Sequence, residues 1–135
     1  MALFEWNDDF SMKVPSIDAQ HKRLVEMLNA LHAGMSSGAG NAQLEGILGG
    51  LIEYTAHHFA HEEALFAEHG FPEAEAHIAE HEALVAQVLD FKGKLERKEV
   101  RITMELMRFL KDWLIKHILG SDKRYSAFFV ERRVA

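Results

Sequence analysis

The sequence predicts an all-α protein: an up-down-up-down four-helix bundle with an extended N-terminal arm and a short C-terminal helix. Two observations carry that expectation. Apolar residues recur at helical spacing in four successive stretches, and the breaks between them are short. The 135 residues suit one domain, taken as residues 1–135, with a real core and no need of staples.

Residues 1–17 hold Phe4, Trp6, Phe10 and Pro15 without a sustained period, and they read as an arm whose aromatics pack onto the body. Asp18 is placed to cap the first helix, which repeats through Ile17, His21, Leu24, Val25, Leu28, Leu31, His32 and Met35. The run ends in SSGAGN. Asn41 opens a second helix along Leu44, Leu48, Leu51, Thr55, His58, Glu62 and Leu65, ending near His69 and Gly70. Its Gly46, Gly49 and Gly50 each weaken it by up to about 1 kcal/mol, but the stripe crosses them unbroken. Pro72 suits the first turn of a third helix carrying Ala74, His77, His81, Leu84, Val85, Val88 and Leu95. A fourth presents Ile102, Leu106, Phe109, Leu110, Trp113, Leu114 and His117 until Gly120 interrupts it. The tail closes with Tyr125, Phe128 and Phe129 facing in. The bundle is thus expected over 18–119 and the tail over 120–135.

Bulk properties narrow the function. A net charge of −6 argues against a nucleic-acid partner. With no cysteine there is no disulfide, thiolate site or cysteine nucleophile. MALFEWNDDF has neither a basic leader nor a long apolar run, and no segment approaches the roughly 20 apolar residues of a membrane span. The expectation is a cytoplasmic monomer without membrane insertion.

The stretch HHFAHEEALFAEHGFPEAEAHIAEH, residues 57–81, is dense in histidine and glutamate. At about 100° per residue from Leu51, Glu62 falls near +20° and His58 near −20°, while His57 and His61 fall near −120° and −80°. His58 and Glu62 therefore face the interior, whereas His57, His61 and His69 are expected on the surface or in loops. His77 and His81 share the inner face of the third helix, His21 that of the first, and His117 that of the fourth. In an alternating bundle all six meet at one end. His32 shares the face of His21 but lies some 16 Å further along, and is expected to be a satisfied core histidine. Asp122 is a seventh candidate. Five residues after His117 it would face about 140° away on an ideal helix, so Gly120 is expected to break the helix and return its carboxylate to the site.

Seven inward ligands exceed what one tetrahedral zinc takes. They suit two ions of higher coordination, bridged by the two carboxylates, and imidazole favours iron, zinc, copper or nickel. Di-iron carboxylate oxidases of the bundle type use four glutamates and two Glu-x-x-His pairs. The balance here is shifted toward neutral nitrogen, which favours the diferrous state and points to reversible gas binding.

These residues resemble the hemerythrin family in its single-domain bacterial form: Trp6 in the arm, His21 in DAQHKRL, His58 and Glu62 in HFAHEE, His77 and His81 in HIAEH, and His117 and Asp122 in WLIKHILGSD. The resemblance spans nearly the whole chain. It implies two non-haem irons, one held by His77, His81 and His117, the other by His21 and His58 with a position open for dioxygen. Glu62, Asp122 and an oxo or hydroxo group would bridge them. It implies an oxygen-binding protein rather than an enzyme, for carriage, storage, sensing or delivery to an oxygen-requiring enzyme. The alternative is a di-iron redox enzyme, a ferroxidase or one handling peroxide or nitric oxide. Trp113, one turn before His117, is expected to pack beside the site. Phe66 stands where many family members carry methionine, and its stiffer ring is expected to alter pocket access.

Overall fold

The computed structural model describes residues 4–38, 40–99 and 104–135, apart from the side chain of Asn41. Helix α1 spans Pro15–Ser36, α2 Asn41–His69, α3 Ala74–Glu96 and α4 Met104–Lys116. A π-helical turn, His117–Asp122, joins α4 without a break to α5, Lys123–Glu131. The four long helices form the expected bundle, and no strand occurs among the described residues. Ile102, expected on α4, lies outside them.

The arm is tied down by polar groups as well as aromatic ones. Phe4 and Phe10 are buried, and Trp6 packs on Phe10 with ring centres 5.6 Å apart. Asn29 of α1 pairs with the backbone of Phe4 in both directions, accepting from its N–H at 2.9 Å and donating to its carbonyl at 2.8 Å. Asp18 does not cap α1. Pro15 already occupies its first turn, because proline's fixed φ and missing N–H cost nothing there. The Asp18 carboxylate instead reaches back to accept from the Met12 N–H at 2.7 Å and the Ser11 hydroxyl at 2.6 Å. Lys123 and Ser126 donate to the carbonyls of Ser11 and Met12, so the arm is stitched to α1 and α5 together.

Two further corrections concern helix ends. Pro72 stands before α3, in a turn where the Ala74 N–H donates to the Phe71 carbonyl; proline suits the second position of such a turn. Gly120 does not interrupt anything. The Lys123 N–H donates to Ile118 five residues back, the bond of a π turn, and the chain runs on helically. Gly70 is where conformation does demand glycine, since it ends α2 with φ +66°.

The core is filled by Met12, Val14, Ile17, Leu28, Leu31, Leu48, Met107, Ile118, Tyr125 and Phe129, all at most 2% exposed. Met107, not Phe109, is the inward residue of early α4; Phe109 is 44% exposed. His32 is half-buried, not a core residue. One region is not filled. A cavity of about 280 Å³ lies between all four helices, walled by leucines and valines.

A paired substitution tests both glycine readings. Gly70→Ala is expected to destabilise by about 1 kcal/mol, lowering Tm by a few degrees in calorimetry, since no neighbour crowds a Cβ there and only φ opposes it. Gly120→Ala, with open space and no positive φ, is expected to leave Tm unchanged or raise it slightly.

Candidate metal centre

Each helix delivers its donors by a local device. His21 sits near the start of α1, between the buried Ile17 and Leu24 of the same face. His58 and Glu62 follow one another at i,i+4 near the end of α2, as His77 and His81 do at the start of α3, so each pair projects in one direction. Asp122 arrives by a different route. The wider π turn closes on the fifth residue, so it brings Asp122 back over His117. Their carboxylate and imidazole lie 3.1 Å apart. A widened turn, not a break at Gly120, returns this carboxylate to the site.

The seven side chains are buried, none more than 5% exposed, and they divide into two overlapping groups. Glu62, His77, His81, His117 and Asp122 offer donor atoms within 4.8 Å of one another, and so do His21, His58, Glu62 and Asp122. Both carboxylates belong to both groups. Asp122 faces each way: Oδ2 lies 3.0 Å from His21 Nε2, while Oδ1 lies 2.9 Å from His77 Nε2 and 3.1 Å from His117 Nε2. Glu62 Oε1 stands 3.1 Å from His58 Nε2 and 3.3 Å from His81 Nε2. Its Oε2 accepts a hydrogen bond from the Tyr125 hydroxyl.

The chemistry of this donor set fits a cation. All five Nε2 atoms, together with Glu62 Oε1 and both Asp122 oxygens, are buried without a hydrogen-bond partner. Buried polar groups are normally satisfied, and lone pairs converging from five imidazoles and two carboxylates are what a metal ion satisfies. The electrostatics agree. Burial and the Asp122 charge both push the Glu62 carboxyl up, but His58 and His81 outweigh them and hold it down at about 2. Burial likewise opposes ionisation of Asp122, and the charge of His117 close beside it holds that carboxyl well below its usual range. Burial lowers His58. His117 is raised despite burial, chiefly by Asp122. Both acids therefore remain anionic inside the core, and anions there require positive compensation.

Aromatic rings enclose the three-histidine side. Phe59 stacks on His81 at 3.7 Å with the rings nearly parallel, and Trp113 stacks on His117 at 4.7 Å. Phe66 meets His77 edge-on at 5.0 Å and packs against Tyr125, which places it beside the three-histidine group. One outer ring nitrogen has a hydrogen-bond partner, Gln20 Oε1 lying 2.7 Å from His58 Nδ1, while the carboxylates of Glu63 and Glu80 approach His81 and His117 only to 3.5 and 3.9 Å. An Nδ1–H donated to Gln20 leaves the Nε2 lone pair of His58 turned to the centre. Sequence reading missed Gln20, Phe59 and Tyr125. Each lies beside a ligand, and for Tyr125 the i,i+3 spacing from Asp122 was the available signal. Among the unselected histidines His57 is exposed, while His61 is half-buried, 3.1 Å from the Ser16 hydroxyl, and so not a free surface residue.

A helical bundle holding a buried histidine-carboxylate cluster at one end defines a helix-bundle metal-binding protein. Residues 12–129 match the family described as Hemerythrin HHE cation binding domain. The chain is 37% identical to a bacteriohemerythrin of Stenotrophomonas maltophilia over 93% of its length and 81% of the relative's. It is 35% identical to a bacteriohemerythrin of Methylococcus capsulatus, covering 93% and 95%. A crystal structure of wild-type hemerythrin superposes with a TM-score of 0.89 at 34% identity, over 93% of this chain and 97% of that one. The chain belongs to the hemerythrin family.

Gln20→Leu tests the orienting bond to His58. Metal affinity, measured by competition with a chelator, is expected to fall about 10- to 100-fold while helix content is unchanged. An unaltered affinity would show that Gln20 does not orient the ring.

Proposed function

We propose that the chain binds dioxygen reversibly at a non-haem di-iron centre. The observation that carries this reading is the sharing of Glu62 and Asp122 by two unequal groups of imidazoles. His77, His81 and His117 would hold one iron and His21 and His58 the other, with both carboxylates and an oxo or hydroxo group as bridges. Counted over the shared carboxylates, one position receives five protein donors and the other four. The poorer one is the place for an external diatomic ligand. Iron, when bound, supplies the reducible and oxidisable centre that lets dioxygen attach and leave.

The chain's own residues then have defined tasks. Tyr125 holds the outer oxygen of Glu62, so the carboxylate cannot swing out of its bridging position. Gln20 fixes the ring of His58. Phe59, Phe66 and Trp113 cover the three-histidine side, and the burial of all seven donors keeps bulk water away. A dry, neutral-nitrogen site limits irreversible oxidation.

We place residues 1–135 as a single hemerythrin-like domain acting as a monomer in the cytoplasm. Its role there is carriage, storage or sensing of dioxygen, or delivery to an oxygen-requiring enzyme, rather than catalysis. No described helix is long and apolar enough to cross a membrane.

Titrating dioxygen into the iron-loaded, reduced protein is expected to raise a visible charge-transfer absorption that disappears on deoxygenation over repeated cycles. Steady dioxygen consumption with ferrous iron, peroxide or nitric oxide would favour the redox-enzyme reading instead, and no response would overturn both. Asp122→Ala, which deprives both groups of a shared donor, is expected to lower bound iron from about two per chain to below one, measured by elemental analysis.

A further inference from the structure

The bundle contains a second feature beside the donor cluster. The cavity of about 280 Å³ is bounded on α1 by Leu24 and Leu28 and on α4 by Leu110, Trp113 and Leu114. Between them stand Leu48, Leu51 and Ile52 of α2 and Leu84, Val85 and Val88 of α3. Its floor is formed by buried side chains, Leu24, Leu28, Leu48 and Leu114, while its rim reaches solvent at Glu53, Leu89 and Lys92. Thr55 is the one hydroxyl in the wall, and that hydroxyl already donates to the Leu51 carbonyl at 2.7 Å. The chamber therefore offers a ligand volume lined almost wholly by apolar side chains.

We propose that this chamber is a binding site for a small neutral hydrocarbon, of the size of one aromatic ring or a short alkane. A charged or strongly polar molecule would lose its hydration there without replacement. Water lying against these walls is poorly partnered and easily displaced, and an apolar cavity of about 150 Å³ is already enough to take up benzene or xenon. Dioxygen alone is much too small to fill the space. The chamber also abuts the metal centre. Trp113 is both cavity wall and the ring stacked on His117, and Leu24 lies one turn beyond His21. A hydrocarbon seated here touches the indole that leans on a proposed iron ligand.

Toluene titrated into the full chain in a Trp6→Phe background tests this, because Trp113 is then the sole tryptophan. Trp113 emission is expected to change saturably with one site per chain, and Tm to rise by a few degrees at saturation. Val88→Phe, which fills the chamber, is expected to weaken toluene binding at least tenfold. Val85→Met, a milder filling, is expected to weaken it by a smaller factor. A linear, unsaturable response overturns the proposal, as does undiminished affinity in either filled variant. Neither readout uses dioxygen chemistry, so failure here leaves the oxygen-binding reading standing, and the converse also holds.

Discussion

Two carboxylates inside an apolar bundle set the terms for everything around them. Glu62 and Asp122 are fully buried, and an ionised acid in such surroundings is tolerated only with close, well-directed positive or hydrogen-bonding partners. The chain meets that demand by convergence. Five imidazoles from four helices turn their Nε2 atoms to the acids, and Tyr125 satisfies the one oxygen that faces away. The helix order follows from the same demand, since only an alternating bundle brings the starts of α1 and α3 to the ends of α2 and α4.

The arm and α5 serve the cluster indirectly. Asp18, Lys123 and Ser126 all bind the backbone of residues 11–12, which clamps α5 across the end of the bundle. Tyr125 and Phe129 of α5 are fully buried and close the floor beneath Glu62 and Phe66. Loosening the arm would therefore loosen the hydroxyl that fixes Glu62. Beyond the donors the packing is looser: the four helices leave a chamber between them, and Leu89 is exposed at its rim. Precise packing is concentrated where the donors meet.

Much of this was legible in the residues because helical rotation is nearly rigid. The angles of His58 and Glu62 against His57 and His61 separated the converging side chains from the others, although His61 is half-buried against Ser16 rather than exposed, and short loops gave the order of helices. Rotation alone failed for Asp122, because a π turn changes the number of residues per turn and no propensity rule marks it; Gly120 suggested a break that does not occur. Asp18 and Pro72 misled for a related reason. Each has two good local uses, and tertiary partners, the Met12 N–H for one and the Phe71–Ala74 turn for the other, chose between them. Gln20 could not be found, since its bond to His58 joins residues 38 apart. The cavity was equally invisible, because the same leucines and valines would read as filled core.

The central claim is that Glu62 and Asp122 are shared between two cations. The most direct measurement is an anomalous difference map at the iron edge from crystals of the iron-loaded protein. The account predicts two peaks about 3.5 Å apart, one beside His77, His81 and His117, the other beside His21 and His58, with both carboxylates spanning them. A single peak, or peaks away from those carboxylates, would contradict it.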